Sequence, residues 1–220
     1  MHIAYQPIWD LSQGIVFGYE ALLRPVQGSP QDFICRARKE GSVVKLDRWI
    51  MEQASLEASK YLAAHERLFL NVEPETATAL SVWSLRTLAL PPHQIVIEIT
   101  ERGALDGLEL GLLRSSGVSV ALDDFGTGNS NLSALSLGPD FVKVDRRFLA
   151  EPHERGVLKM LARSAAELGF ALIAEGVEKE NDLAFVEKQS IRYAQGYFLG
   201  RPAAAKTICP AKTYARWIPP

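Results

Sequence analysis

Cysteine is nearly absent: the 220 residues contain only Cys35 and Cys209, far apart and without CxxC spacing. This excludes a disulfide framework and a zinc knuckle, and it points to a reducing compartment. An excess of one charge is missing too, since 24 Lys and Arg face 26 Asp and Glu, for a formal net charge of −2. A dedicated binder of nucleic-acid polymers or membrane surfaces usually carries a clustered basic excess, so neither is expected. Apolar stretches such as 95–97 and 171–174 stop far short of the roughly 18 residues that span a bilayer. Residues 1–10 do not read as a charged leader before an apolar segment, so a cytoplasmic location is expected, with no membrane element in this chain. The rest is ordinary, with 47% apolar and 23% charged residues. A chain of this length buries enough surface to fold without a disulfide or structural metal, which makes one domain over residues 1–220 the default.

Short apolar runs recur between longer amphipathic segments. They are 2–5, 15–19, 68–72, 95–99, 118–122, 141–144, 171–174 and, more weakly, 193–199, and each reads as a strand. Segments 46–65, 76–88, 105–115 and 154–168 place apolar residues three and four apart and read as helices. Residues 25–31 and the tail beyond Pro202 read as loop. Only Trp9–Gly14 joins the first two runs, too short for a helix, so that pair should form an antiparallel hairpin. Beyond it, strand and helix alternate, which favours parallel strands wrapped by helices. The expected fold is therefore α/β, a modified TIM (β/α)8 barrel with one reversed strand, and an open doubly wound sheet is the rival. No GxGxxG follows the first run and no internal repeat is present.

Polar residues sit where the runs end. Glu20 follows the second run, Asn71 lies in the third, Glu98 in the fourth, Asp123 and Asp124 close the fifth, Lys143 and Asp145 belong to the sixth, Glu175 ends the seventh, and Gln195 lies in the eighth. In a barrel those C-terminal strand ends converge on one face, where active sites of this fold lie. A single strand-end carboxylate is commonly a helix cap or a surface group. A set at matched positions instead points to cation binding, because a buried carboxylate is costly unless paired or bound to a cation. Oxygen donors with no histidine among them select Mg²⁺, Mn²⁺ or Ca²⁺. The adjacent Asp123 and Asp124 suggest a ligand shared between two ions, as in many phosphoryl hydrolases. Neighbouring strand residues face opposite ways, so Asp124 is expected past the strand end, in a turn supplied by Gly126 and Gly128. Glu101 lies where a helix would begin and can equally favour that helix's dipole.

These residues resemble the EAL-domain family, bacterial phosphodiesterases of the second messenger cyclic di-GMP. The tripeptide Glu20-Ala21-Leu22 stands within Tyr19–Arg24, and the other landmarks follow in family order: Tyr5–Ile8, Leu70–Val72, Glu98–Glu101, Asp123–Gly128, Val142–Asp145, Ala174–Glu178 and Gln195–Tyr197. The match spans residues 3–202. The resemblance implies a barrel whose first strand is antiparallel and a metal-dependent hydrolysis of cyclic di-GMP to linear pGpG. It implies that Glu20, Asn71, Glu98 and Asp123 hold one Mg²⁺ or Mn²⁺, and that Asp123 bridges to a second ion near Asp124 and Glu175, with Ca²⁺ expected to inhibit. The general base is left open between Lys143, Glu175 and a metal-bridging hydroxide. Gln6, Arg24, Asp145, Glu178 and Gln195 are implied substrate contacts, Arg24 as a guanidinium for phosphate. The loop after Asp124, carrying Gly126 and Gly128 and propped by Glu101, is implied to couple metal binding to a homodimer.

Some features depart from the pattern. Asn131 stands where the family more often has serine, Pro25 follows Arg24 where an aromatic is common, and Tyr5 lies so near the start that no helix precedes its strand, leaving the barrel bottom without that cover. A catalytically silent module of the same fold that binds cyclic di-GMP or a protein is the alternative from another class. A barrel that uses Glu98 and Asp123 for Mg²⁺ and Lys143 for proton abstraction is a further alternative from the residues alone.

Overall fold

A computed structural model describes residues 1–80, 85–100, 110–126 and 132–208. Strands β1 (His2–Asp10), β2 (Ile15–Arg24), β3 (Arg67–Val72), β4 (Ile95–Thr100), β5 (Ser119–Phe125), β6 (Phe141–Val144), β7 (Ala171–Ala174) and β8 (Tyr193–Ala194) close into a barrel in chain order. β1 runs antiparallel to both β2 and β8, and the remaining pairings are parallel. The expected barrel with a reversed first strand is thus the observed one, and the open sheet is excluded. Asp10 explains the hairpin: its Oδ1 accepts hydrogen bonds from Ser12 N at 3.0 Å and Gln13 N at 3.2 Å, while Gly14, at φ 66°, donates back to the Asp10 carbonyl. Such a side-chain-capped turn reverses the chain within four residues.

Helices lie between the strands: α1 (Pro30–Lys39), α2 (Val43–Ala58), α3 (Pro74–Ala79), α4 (Leu110–Ser115), α5 (Arg147–Ala150), α6 (Pro152–Leu168) and α7 (Glu180–Lys188). The expected helix 46–65 overlaps α2, which starts at Val43 and already ends at Ala58, and 154–168 is α6. Only parts of 76–88 and 105–115 can be compared, because 81–84 and 101–109 lie outside the described residues. α1 begins inside a segment expected to be loop. Ser29 Oγ accepts from Asp32 N at 3.1 Å and the Asp32 carboxylate accepts from Ser29 N at 3.0 Å, with Pro30 in the first turn. This reciprocal cap outweighs the turn signal of the proline, which is tolerated at a helix start. β8 is also shorter than the run 193–199, because the Val177 N–H donates to the Gln195 carbonyl and the chain then bends back to pair Ala203 with Tyr5.

The barrel interior changes character along its axis. Ile8, Phe69, Val96, Ala121, Phe141, Ile173 and Tyr193 form one buried cluster. Strand side chains alternate with a period of two, and two residues further toward the mouth the same strands carry Gln6, Asn71, Glu98, Asp123, Lys143, Glu175 and Gln195. One step of the pleat therefore separates an apolar floor from a charged mouth. At the far end, Phe17, Phe69, Phe141 and Tyr193 pack with ring centroids 4.3 to 6.0 Å apart. The Arg67 guanidinium lies 5.6 Å from the Phe17 ring centroid and donates to Ser119 Oγ at 2.7 Å. Side chains thus fill the barrel bottom from inside.

Phe69 has no exposed surface and touches rings on two sides. Phe69→Ala should lower the unfolding free energy by about 3–5 kcal/mol in urea denaturation, the usual range for emptying such a site.

Candidate metal centre

The acidic residues of the mouth arrive on several strands, and the strand registers align them: Asn71 pairs with Glu98 across the parallel β3 and β4, and Gln6 faces Glu20 across the antiparallel β1 and β2. β5 contributes twice. Its pairing with β6 slips between Leu122 and Phe125, so one extra residue is accommodated there, and Asp124 takes a left-handed φ of 58°. Asp124 therefore lies within β5, in a bulge, and not in a turn past its end as expected. Bulges re-aim side chains beside active sites, and aspartate tolerates the left-handed region better than most residues. Oxygens of Asp123, Asp124 and Glu175 consequently come within 4.8 Å of one another. Gly126 follows at φ 100°, where a Cβ would collide with the Phe148 ring. Gly128 and Glu101 lie outside the described residues.

Lys143 stands at the centre with 1% of its side chain exposed. Its Nζ is 2.8 Å from Glu98 Oε1, 3.0 Å from Glu175 Oε1, 3.1 Å from Asp123 Oδ1 and 3.3 Å from Glu20 Oε2. The flanking Val142 and Val144 are fully buried on the outer face of the strand, as the alternation requires. Asn71 Nδ2 and Gln195 Nε2 donate to the two Glu20 oxygens at 2.8 and 2.7 Å. Glu98 is fully buried, yet its Oε2 has no hydrogen-bond partner, and the same holds for Gln195 Oε1.

One ammonium does not balance four buried carboxylates. Burial outweighs the attraction of Lys143 at Glu98, Asp123 and Glu175, so their protonated forms are favoured, with Glu175 pushed up to about 8. At Glu20 burial is overcome by Lys143 and by the Asn71 and Gln195 amides, and its carboxyl is held below the usual range. Lys143 itself would lose its proton more easily through burial, but the surrounding acids reverse this and hold it charged. An oxygen-only donor set, more acidic groups than one ammonium can balance and an orphaned buried Glu98 oxygen together fit a hard divalent cation.

The remaining site residues line two clefts that open from this centre. The larger, of about 750 Å³, has Glu20, Arg24, Asn71, Asp123 and Asp124 in its wall. The smaller, of about 320 Å³, has Gln6, Glu20, Asp145, Glu175, Glu178 and Gln195. Within them, Arg24 Nη1 donates to the Leu23 carbonyl, Gln6 Nε2 to that of Gly200, Asp145 Oδ1 accepts from Arg147, and Glu178 from Arg146 at 2.8 Å. Sequence reading missed Arg146 and Tyr197 in the smaller cleft and Arg38, Glu73 and Glu75 in the larger. Glu73-Pro74, two residues past Asn71, was the available signal for the last group.

Lys143→Met should destabilise the metal-free protein by about 3–5 kcal/mol at pH 8, because removing one partner leaves buried charges uncompensated. The raised carboxyls take up protons as the pH falls, so the deficit should shrink at pH 5. Urea denaturation in EDTA at both pH values checks this.

The sequence pattern of the EAL domain matches residues 1–202. The chain is 34% identical, over 92% of its length, to the cyclic di-GMP phosphodiesterase NbdA of Pseudomonas aeruginosa, and 33% identical, over 99%, to the probable cyclic di-GMP phosphodiesterase PdeN of Escherichia coli. It spans only 29% and 45% of those proteins. Among solved structures, Klebsiella pneumoniae BlrP1 in its calcium and cyclic di-GMP complex superposes with a TM-score of 0.84 at 28% identity, covering 93% of this chain and 56% of that one. The PaMucR phosphodiesterase in complex with c-di-GMP gives 0.82 at 28% identity, covering 93% and 92%. The acid-lined barrel mouth, its reversed first strand and these likenesses agree, and the chain belongs to the EAL domain family.

Proposed function

We propose that residues 1–220 act as one cytoplasmic unit, a divalent-metal-dependent phosphodiesterase that opens cyclic di-GMP to linear pGpG. The observation that carries this reading is the convergence of Glu20, Glu98, Asp123 and Glu175 within 3.3 Å of one buried Lys143, at a mouth that opens into a cleft on either side. A cyclic dinucleotide has two bases about one phosphodiester ring, and a central charged site flanked by two recesses suits that shape. Several relatives carry the phosphodiesterase name, and BlrP1 has been solved with manganese or calcium beside cyclic di-GMP.

In this reading Glu20, Asn71, Glu98 and Asp123 would hold one Mg²⁺ or Mn²⁺, and Asp123, Asp124 and Glu175 would hold a second. Such ions offset phosphodiester charge and acidify water, so that a nucleophile is available at neutral pH. The chain's own side chains do the rest. Lys143 fixes the four carboxylates in place and donates hydrogen bonds at the centre. Glu175, with 21% of its side chain exposed in the smaller cleft, faces approaching solvent, and the general base stays open between Glu175, Lys143 and a hydroxide bound by the ions. Arg24, in the wall of the larger cleft, presents a planar fork to a phosphate oxygen pair. Gln6, Asp145, Glu178 and Gln195 line the opposite side and orient the sugar and base there. The active unit is a homodimer formed through the loop that follows Gly126.

Purified protein with Mn²⁺ or Mg²⁺ should convert cyclic di-GMP to pGpG, followed by chromatography. Ca²⁺, larger and less strictly octahedral, should bind without comparable turnover. Glu20→Ala should lower the rate by at least about a hundredfold, beyond the loss typical of a residue that merely supports a ligand. A folded protein with no turnover under either metal would reject the proposal.

A further inference from the structure

The larger cleft has a feature that metal chemistry leaves unused. Its outer wall carries Arg38 from α1 and Glu73 and Glu75 from the start of α3, and their ion pairs bridge the two helices. Arg38 Nε donates to Glu75 Oε1 at 2.7 Å and Nη2 donates to Glu73 Oε2 and, at 3.4 Å, to Glu75 Oε2, which leaves Nη1 with no protein acceptor among the described residues. Glu73 is not loosely held. Its backbone N–H donates to Oδ2 of the buried Asp47 at 2.9 Å, and Thr76 Oγ1 donates to the same oxygen. Two residues earlier on the same segment, Asn71 donates to Glu20 in the metal centre, so base-side and phosphate-side groups share one rigid support. Ile34 and Pro74 add apolar surface to the recess. At about 750 Å³ its size falls in the range of small-molecule sites.

We infer that Arg38, paired with Glu73 and Glu75, reads the edge of one substrate base in this cleft and selects guanine over adenine. The inference rests on the proposed cyclic dinucleotide substrate and adds the residues that choose the base. On its Watson–Crick edge guanine offers O6 as an acceptor beside N–H donors at N1 and N2, the pattern that the free Nη1 beside a carboxylate complements. Adenine puts an amino donor where guanine has O6, so its N6 would meet the Arg38 donors and leave them unpaired. Rejecting the wrong base by unpaired donors discriminates more sharply than shape alone. Arg38 is a specificity-determining residue in this scheme and takes no part in bond cleavage.

Calorimetry with Ca²⁺ in the site, comparing cyclic di-GMP and cyclic di-AMP, tests this. Arg38→Met should weaken cyclic di-GMP binding about tenfold to a hundredfold, the scale of one lost base-edge contact, and tighten cyclic di-AMP binding by relieving the unpaired donors. Arg38→Lys keeps the charge but lacks the planar fork, and should also lose discrimination. Unchanged cyclic di-GMP affinity in Arg38→Met would overturn the inference. Equal weakening for both dinucleotides would overturn it as well, since it would show a structural role for Arg38. A wild-type protein that neither binds nor cleaves either dinucleotide would instead sink the proposed function, and this inference with it.

Discussion

The structure depends on a charge imbalance held out of water. Four carboxylates from β2, β4, β5 and the end of β7 crowd one lysine ammonium from β6. Taking charges into a low-dielectric interior is expensive, and mutual attraction compensates only when the numbers match. Here they do not match, and two amides, Asn71 and Gln195, are enlisted to hold Glu20 charged. A protein has no stability reason to keep such an arrangement. The arrangement suits the further positive charge proposed for this site.

The barrel makes the imbalance tolerable by confining it to one layer. Below the mouth, Ile8, Phe69, Val96, Ala121, Phe141, Ile173 and Tyr193 form a dry floor, and Phe17 with Arg67 closes the base. The floor fixes the strands, and the strands fix the carboxylates to within a pleat. The reversed β1 serves the same end. It brings Gln6 to the level of Glu20, and it pairs with β8 and with Ala203 to shut the cylinder. Pairing is irregular at Ile8 and Trp9 of β1 and again in the β5 bulge, and the latter turns Asp124 toward the same space as Asp123.

Much of this was legible in the sequence because period-two alternation is a local signal. Glu98 between Ile97 and Ile99, or Lys143 between Val142 and Val144, shows its inward direction without knowledge of the fold. The hairpin followed from a connection too short for a helix. Other features were not legible for equally physical reasons. The bulge at Asp124 depends on the register between β5 and β6, a long-range property. α1 was hidden because Pro30 and the preceding glycine signal a turn, and only the reciprocal bonds of Ser29 and Asp32 show that a helix starts there. With α1 unread, Arg38 had no position, and its pairing with Glu73 and Glu75 could not be anticipated. Partners such as Arg146 for Glu178 are likewise set by how segments remote in sequence meet at the rim.

The most direct test of the central claim is anomalous diffraction at the manganese edge from crystals equilibrated with Mn²⁺. The account predicts peaks at the barrel mouth within coordination distance, about 2.0–2.3 Å, of oxygens from Glu20, Asn71, Glu98 and Asp123, and a second near Asp124 and Glu175. Well-ordered crystals in which those side chains remain gathered on Lys143, with no anomalous density among them, would contradict it.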